Sequence, residues 1–281
     1  MEDTLKKCKK NCNNKNFKIN PKRIFFRENR EIEASKTVEI INIVIILAII
    51  FAIFNYAFGR LEYNYMWKET IVDYRYKFIK GFCITIIISF FSLFCSLVIG
   101  TMMAIGQRTT FLPVYYFSKF YVEFIRGTPL IVQIYLFFYV VGTAFNITDR
   151  YIMGILIMAS FSGAYVAEII RSGIESISAS QLETAKALAF TPFQTYVYII
   201  LPQVVKRITP PLAGQFASLI KDSSLLSIIA VNEFTKNVQE VDSLTFAPVE
   251  NYFILAVGYL LLTYPISHYS KYLERKFSYE S

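Results

Sequence analysis

One histidine, four cysteines and a charged fraction of 18% set this 281-residue sequence apart by what it withholds. Soluble domains carry about 25% charged residues. With His268 alone, the clustered imidazoles that metal centres and many membrane enzymes need are absent, and no paired acids stand in the apolar segments. His268 itself reads as an interfacial side chain near the end of the last apolar run rather than as a ligand. Cys8 and Cys12 form a lone Cys-x3-Cys in a basic stretch with no histidine near, short of a four-ligand metal site. Cys83 and Cys95 share one apolar run and stand about 120° apart around a helix. All four therefore read as inert thiols. No Gly-x4-Gly-Lys-Ser/Thr loop is present to cradle nucleotide phosphates.

What is present is hydrophobic, at 54% of residues with a mean hydropathy of +0.42. It comes in blocks, which points to a bilayer rather than one globular core. Residues 1–39 form a basic tail, expected to flank a membrane span rather than to bind nucleic acid. Ile40–Phe58 carries no charge and is long enough to span, as an anchor rather than a cleaved signal. Residues 59–80 read as an extracytoplasmic loop, residues 81–273 as the core and 274–281 as a short cytoplasmic tail. Within the core, apolar segments are Phe82–Ile105, Leu130–Phe145, Tyr151–Ile170, Val204–Ala230 and Asn251–Tyr269. Gly127-Thr128-Pro129 predicts a break before the third span, Pro210-Pro211 and Lys221-Asp222 breaks within the fifth. The fold expected is all-α and membrane-integral, with about six transmembrane helices. Placing the N-terminal flank inside puts 21 of the 29 Lys/Arg on the cytoplasmic side and 8 outside. The positive-inside rule thus expects both termini in the cytoplasm of a multi-pass bacterial plasma-membrane protein. Five of the eight outside positives fall in loop 59–80, against the rule.

One loop is too elaborate for a connector. In the stretch from Ser178 to Gln203, Ser180/Glu183 and Ser178/Gln181 both fit a capping box, and Leu182, Ala185 and Ala189 recur at helical spacing. Thr191-Pro192-Phe193-Gln194 is a second helix start. Two short helices meeting near Phe190-Thr191 are predicted, the second interrupted at Pro202. Physically this suits either a rigid element presented to a partner or an interfacial amphipathic helix.

Glu183-Thr184-Ala185, Ala189 and Ile199-x-Leu201-Pro202 resemble the EAA motif of ABC importer permeases, with matching spacing. Thr184 replaces the middle Ala and Ala189 the Gly. Because alanine does not take a left-handed backbone cheaply, the elbow is expected to be shaped by Thr191-Pro192. Three further stretches are similar to the polar amino acid branch: Tyr121–Leu130 (YVEFIRGTPL), Gly163–Arg171 (GAYVAEIIR) and Lys221–Leu225 (KDSSL). The resemblance implies a five-helix type I importer core with a cytoplasmic coupling helix, Ile40–Phe58 being additional. It implies docking to a separate ABC ATPase through Glu183, Thr184, Ala185, Ala189, Thr191 and Pro192. ATP and Mg would act on that partner, so this chain would bind no cofactor and not be an enzyme by itself. The other implied partners are an extracytoplasmic substrate-binding protein and a second copy or a paralogous permease, within membrane lipid.

An ionisable residue inside a span is a functional candidate because burying it in lipid costs about 2.5–3.5 kcal/mol. Asp222 would face a substrate ammonium and Ser223 and Ser224 its carboxylate, beside Lys221; a plain Lys221–Asp222 pair is the bland alternative. Glu168 and Arg171, three apart, suit an ion pair. Ser160/Ala164 and Gly163/Ala167 suit close helix packing, internal or between permeases. Arg126 reads as an anchor rather than a gate. A polytopic membrane enzyme, or a structural or sensory membrane protein, would be the alternative. The first lacks its catalytic groups here, and the second needs no doubly capped loop.

Overall fold

The computed structural model describes residues 36–60 and 63–278, all helix and connections with no strand among them. The basic tail through residue 35, with Cys8 and Cys12, lies outside the described residues. Two compact units are present, divided between Asn64 and Tyr65. The first contributes α1, Lys36–Gly59, whose apolar window has a mean hydropathy of 2.8 and no buried residue.

The second unit contains the rest: α2 (Trp67–Gly106), α3 (Leu112–Gly127), α4 (Leu130–Tyr135, running on as a π-helical segment through Gly142), α5 (Arg150–Glu175), α6 (Ala179–Ala187), α7 (Pro192–Gln194), α8 (Leu201–Asp222), α9 (Phe234–Thr245) and α10 (Pro248–Ser278). α2 and α5 form its centre. Gly100 lies against Val166 and the Gly163 carbonyl, and Gly163 against Ile99, so an added Cβ at either would collide. The small residues of α5 thus serve internal packing, one of the two uses expected of them. Ile88, Ile134, Ile157, Met158, Leu219 and Leu226 close the core between α2, α4, α5, α8 and the segment after it. Outward faces stay apolar, with Phe90 60% and Phe94 62% exposed, as a lipid-facing surface requires.

Several expectations are corrected. Residues 59–80 are not a loop throughout: helix α2 begins at Trp67. The charges of this stretch disguised a helix whose other face is buried, with Thr70 at 0% and Phe78 at 7% exposure. Glu250 accepts the Met66 N–H at 2.6 Å, and Lys77 pairs with Glu240 at 2.8 Å. α10 likewise runs on to Ser278, through most of the expected tail. Pro210 and Pro211 do not break α8. The carbonyls these prolines leave without a helical donor are those of Lys206 and Arg207, and α8 runs on against α10, where Ser270 Oγ donates to the Pro210 carbonyl at 2.8 Å. Pro202 does not interrupt its helix either: a π-helical turn, Thr195–Ile200, precedes it and widens the coil where the proline ring would otherwise clash.

The break before Leu130 forms as expected. α3 and the α4 segment meet at 114°, and buried Gln133 staples the corner by donating to the Ile125 carbonyl and the Thr128 hydroxyl, both at 2.7 Å. Among the described residues four helices (α1, α2, α5, α10) are long and apolar enough to cross a membrane, five with the bent pair as one span. The expected fifth span, Val204–Ala230, is not apolar enough to join them: α8 carries Lys206, Arg207, Lys221 and Asp222 and then tightens into a 3₁₀ turn, Ser223–Ile229.

Candidate functional site

The α5–α8 connection forms an elbow. Helix α6 ends at Ala187, and Ala189 takes φ 58°, in the left-handed region. The Ala189 N–H reaches the Lys186 carbonyl and the Phe190 N–H the Ala185 carbonyl, both at 3.0 Å. That pair of bonds is a Schellman termination with alanine where glycine is usual. The bend is therefore made at Ala189, contrary to the expectation that Thr191-Pro192 would shape it. A backbone with closed 6→1 and 5→2 bonds offsets a left-handed cost of about 1–2 kcal/mol. Thr191 then opens the next helix as predicted: its Oγ1 accepts from the Gln194 N–H at 3.3 Å, and Gln194 Oε1 accepts from the Thr191 N–H at 2.9 Å. Neither capping box predicted at the start of α6 forms. Ser178 is the N-cap but makes no side-chain cap; its hydroxyl meets that of Ser180 at 3.1 Å.

The elbow's tip is apolar and uncovered: Leu188 is 65% and Phe193 75% exposed. Glu183, Thr184, Pro192 and Thr191 are exposed beside it, Ala185 is buried beneath, and Glu183 makes no ion pair or hydrogen bond among the described residues. Both feet are clamped. Arg207 of α8 donates to the Ser176 carbonyl at 2.5 Å, where α5 ends, and Gly173 of α5 sits on Ile208. In the last turns of α5, Arg171 bridges Glu168 at 2.5 Å and Glu175 at 2.6 Å, and Arg126 of α3 approaches Glu168 at 3.5 Å. The Glu168–Arg171 pair is as predicted. Arg126, read as an anchor, joins this cluster and also lies over the Tyr165 ring at 5.6 Å. Tyr121 ties α3 to α5 through the Ser160 carbonyl at 2.5 Å.

The second candidate group lies at the other end of α8. Lys221 is exposed and Asp222 partly buried, with no ion pair between them among the described residues. Ser223 is fully buried and its hydroxyl donates to the Ile220 carbonyl at 2.7 Å. That bond commits it to its own helix, so it is not the free donor expected for a substrate carboxylate. Ser224 is partly buried and carries no such commitment.

Sequence reading missed Glu233. It is fully buried, caps α9 by accepting the Thr235 and Lys236 N–H groups at 2.8 and 2.7 Å, and accepts the Tyr259 hydroxyl of α10 at 3.0 Å. The adjacent Phe234 N–H donates to Thr85 Oγ1 of α2 at 3.0 Å. Burial pushes the Glu233 carboxyl up to about 7, against the hydrogen bonds that favour its charged form. Glutamate is not among the preferred N-caps, so no sequence signal pointed here.

A family model described as "Binding-protein-dependent transport system inner membrane component" matches residues 96–279. The chain belongs to that family. Among its relatives, the probable glutamine ABC transporter permease protein GlnM of Bacillus subtilis is 35% identical over 199 residues, 71% of this chain and 92% of the relative. The glutamine transport system permease protein GlnP of Escherichia coli K12 is 34% identical over 200 residues, 70% and 91% respectively. A solved amino acid ABC transporter chain, crystallised with histidines, superposes with a TM-score of 0.71 at 31% identity, covering 76% of this chain and all of that one. A chain of the MetNI methionine ABC transporter in inward-facing form, at 15% identity and a TM-score of 0.63, shares the fold. This importer permease is thus a multi-pass, all-α membrane component of an ABC transporter, a transport subunit rather than an enzyme by itself.

Proposed function

We propose that this permease imports a polar amino acid, driven by ATP and Mg on a separate ATPase subunit that docks on the elbow from the cytoplasm. The observation that carries the reading is the elbow itself: a Schellman-closed, box-capped bend with an apolar tip and both feet clamped to the bundle. Such a part transmits displacement without deforming. Glu183, Thr184 and the Leu188–Phe193 tip form the docking surface, while Ala185, Ala189, Thr191 and Pro192 hold its shape. The Lys/Arg distribution supports the elbow and both flanking termini facing the cytoplasm. An extracytoplasmic binding protein delivers the cargo, and a second copy or a paralogous permease completes the pathway. The printed names of the relatives, glutamine permeases, support a polar amino acid as cargo. Asp222, partly buried and in no ion pair among the described residues, suits the substrate ammonium, with Ser224 and Lys221 near the carboxylate and Ser223 supporting the turn.

The test is reconstitution with the ATPase and binding protein of the same system. ATP hydrolysis should rise when loaded binding protein is added. Glu183→Arg should weaken ATPase association and remove that rise. Unchanged association and stimulation in Glu183→Arg would refute the docking assignment. Asp222→Asn should reduce transport more than assembly; equal losses make Asp222 structural.

A further inference from the structure

The last helix ends in a face that the transport reading leaves unused. Helix α10 turns about 100° per residue, which gathers Tyr264, His268, Lys271, Tyr272 and Arg275 within one sector, with Tyr269 and Lys276 at its edge. The opposite side is occupied: Ser270 bonds to the Pro210 carbonyl of α8 and Leu273 is buried at 7%. Packing on α8 therefore decides which face remains open. On that face Tyr264 is 63%, Tyr269 58% and Tyr272 56% exposed. His268 stacks on Tyr264 at 6.1 Å and Tyr269 on Tyr272 at 6.3 Å between ring centres. These two ring pairs, with Pro265, line a shallow concavity of about 510 Å³. Lys271, Arg275 and Lys276 are exposed and form no ion pair among the described residues; the exposed Glu274 lies about 60° beyond Lys271, on the flank away from the rings.

The order along the axis is informative. Tyr264, His268 and Tyr269 come first, Lys271 and Tyr272 overlap, and Arg275 and Lys276 come last, the order met on passing from acyl chains to headgroups. Tyrosine favours the membrane–water boundary, and Lys/Arg just beyond it attract anionic lipid. A protein partner would require no such axial order. We infer that this face is a binding site for an anionic phospholipid, its glycerol and upper acyl region against the ring concavity and its phosphate held by Lys271, Arg275 and Lys276.

The full-length chain in neutral detergent can be titrated with phosphatidylglycerol or phosphatidylcholine of identical acyl chains and bound lipid counted by native mass spectrometry. The wild type should prefer phosphatidylglycerol by roughly a hundredfold, each of the three cations contributing roughly fivefold. Lys271→Gln/Arg275→Gln/Lys276→Gln should lose the preference, while Lys68→Gln/Lys80→Gln keeps it. Should the triple variant fail to fold, Lys271→Gln and Arg275→Gln singly should each cost roughly fivefold. Equal binding of both lipids by the wild type, or a preference retained in the cation variants, overturns the site. So does loss of the ATPase subunit with lipid preference intact, which would make the face a protein interface.

Discussion

At Glu233 a carboxylate is sealed where α9, α10 and α2 converge, whereas at Glu183 a carboxylate stands in the open on a nine-residue helix. The two sites lie at opposite ends of α5: Arg150 at its start donates to the Ala230 carbonyl, and its last turns feed the elbow. With 26 residues, α5 is itself about 39 Å long. One end is held by burial, so the Glu233 carboxylate is answered from within by two N–H groups and a hydroxyl. The other is held by backbone turns and surface ion pairs, so its side chains are free to meet a partner. Damage at the first should cost the fold; damage at the second should cost the complex.

The sharpest break of that contrast is Glu233→Ala. It strips a cap and leaves the part-buried Thr235 and Lys236 N–H groups without their acceptor, while Tyr259 keeps its 2.8 Å bond to Thr235 Oγ1, a loss of about 2–4 kcal/mol. Thermal melting of the purified chain should show it, and an unchanged melting point would mean the cap is not structural. Next comes pH. The Glu233 carboxyl is raised from 4.5 to about 7, so the native state binds its proton more tightly than the unfolded chain. The stability this confers is fully present below about 4.5 and is lost as pH rises through about 7, up to about 3 kcal/mol in all. Protection factors of the α9 amides, with the intrinsic pH dependence of exchange divided out, should fall between pH 6 and 8, and Glu233→Gln should remove that fall. At the elbow the expectation reverses. Phe193→Asp should leave melting within about 0.5 kcal/mol yet weaken ATPase capture by roughly tenfold, or ~1.4 kcal/mol; a large drop in melting point would show the tip to be part of the core. The smallest effect should come from Ala189→Gly, which relieves the left-handed backbone and should stabilise by about 1 kcal/mol. A destabilising result would mean the Schellman geometry is not retained in solution.

Legibility followed the range of the forces. The break at Gly127–Pro129, the Thr191 cap and the Glu168–Arg171 pair depend on residues within four positions of one another, and each was readable. The α6 caps failed although their motif was present, because a capping box is only a local option. Loop 59–80 was misread because its charges sit on one face of a helix. The other face is apolar only in relation to Phe234, Val238 and Val241, more than 150 residues on. Pro202 and Pro210 were misread as breaks for the same reason. At Pro202 relief came from a widened turn, and at Pro210 the helix is held by its packing on α10.

By itself the amino-acid sequence determined that the chain is helical, membrane-borne and built around one elaborated connection, since hydropathy blocks, proline and capping chemistry act over a turn or two of helix. Only the tertiary structure decided where the elbow bends, which serine of the pair after Asp222 is already committed, and that Glu233 is buried. Those outcomes depend on what packs against each backbone segment from afar, and a left-handed alanine or a sealed carboxylate persists only when its surroundings leave it no cheaper state.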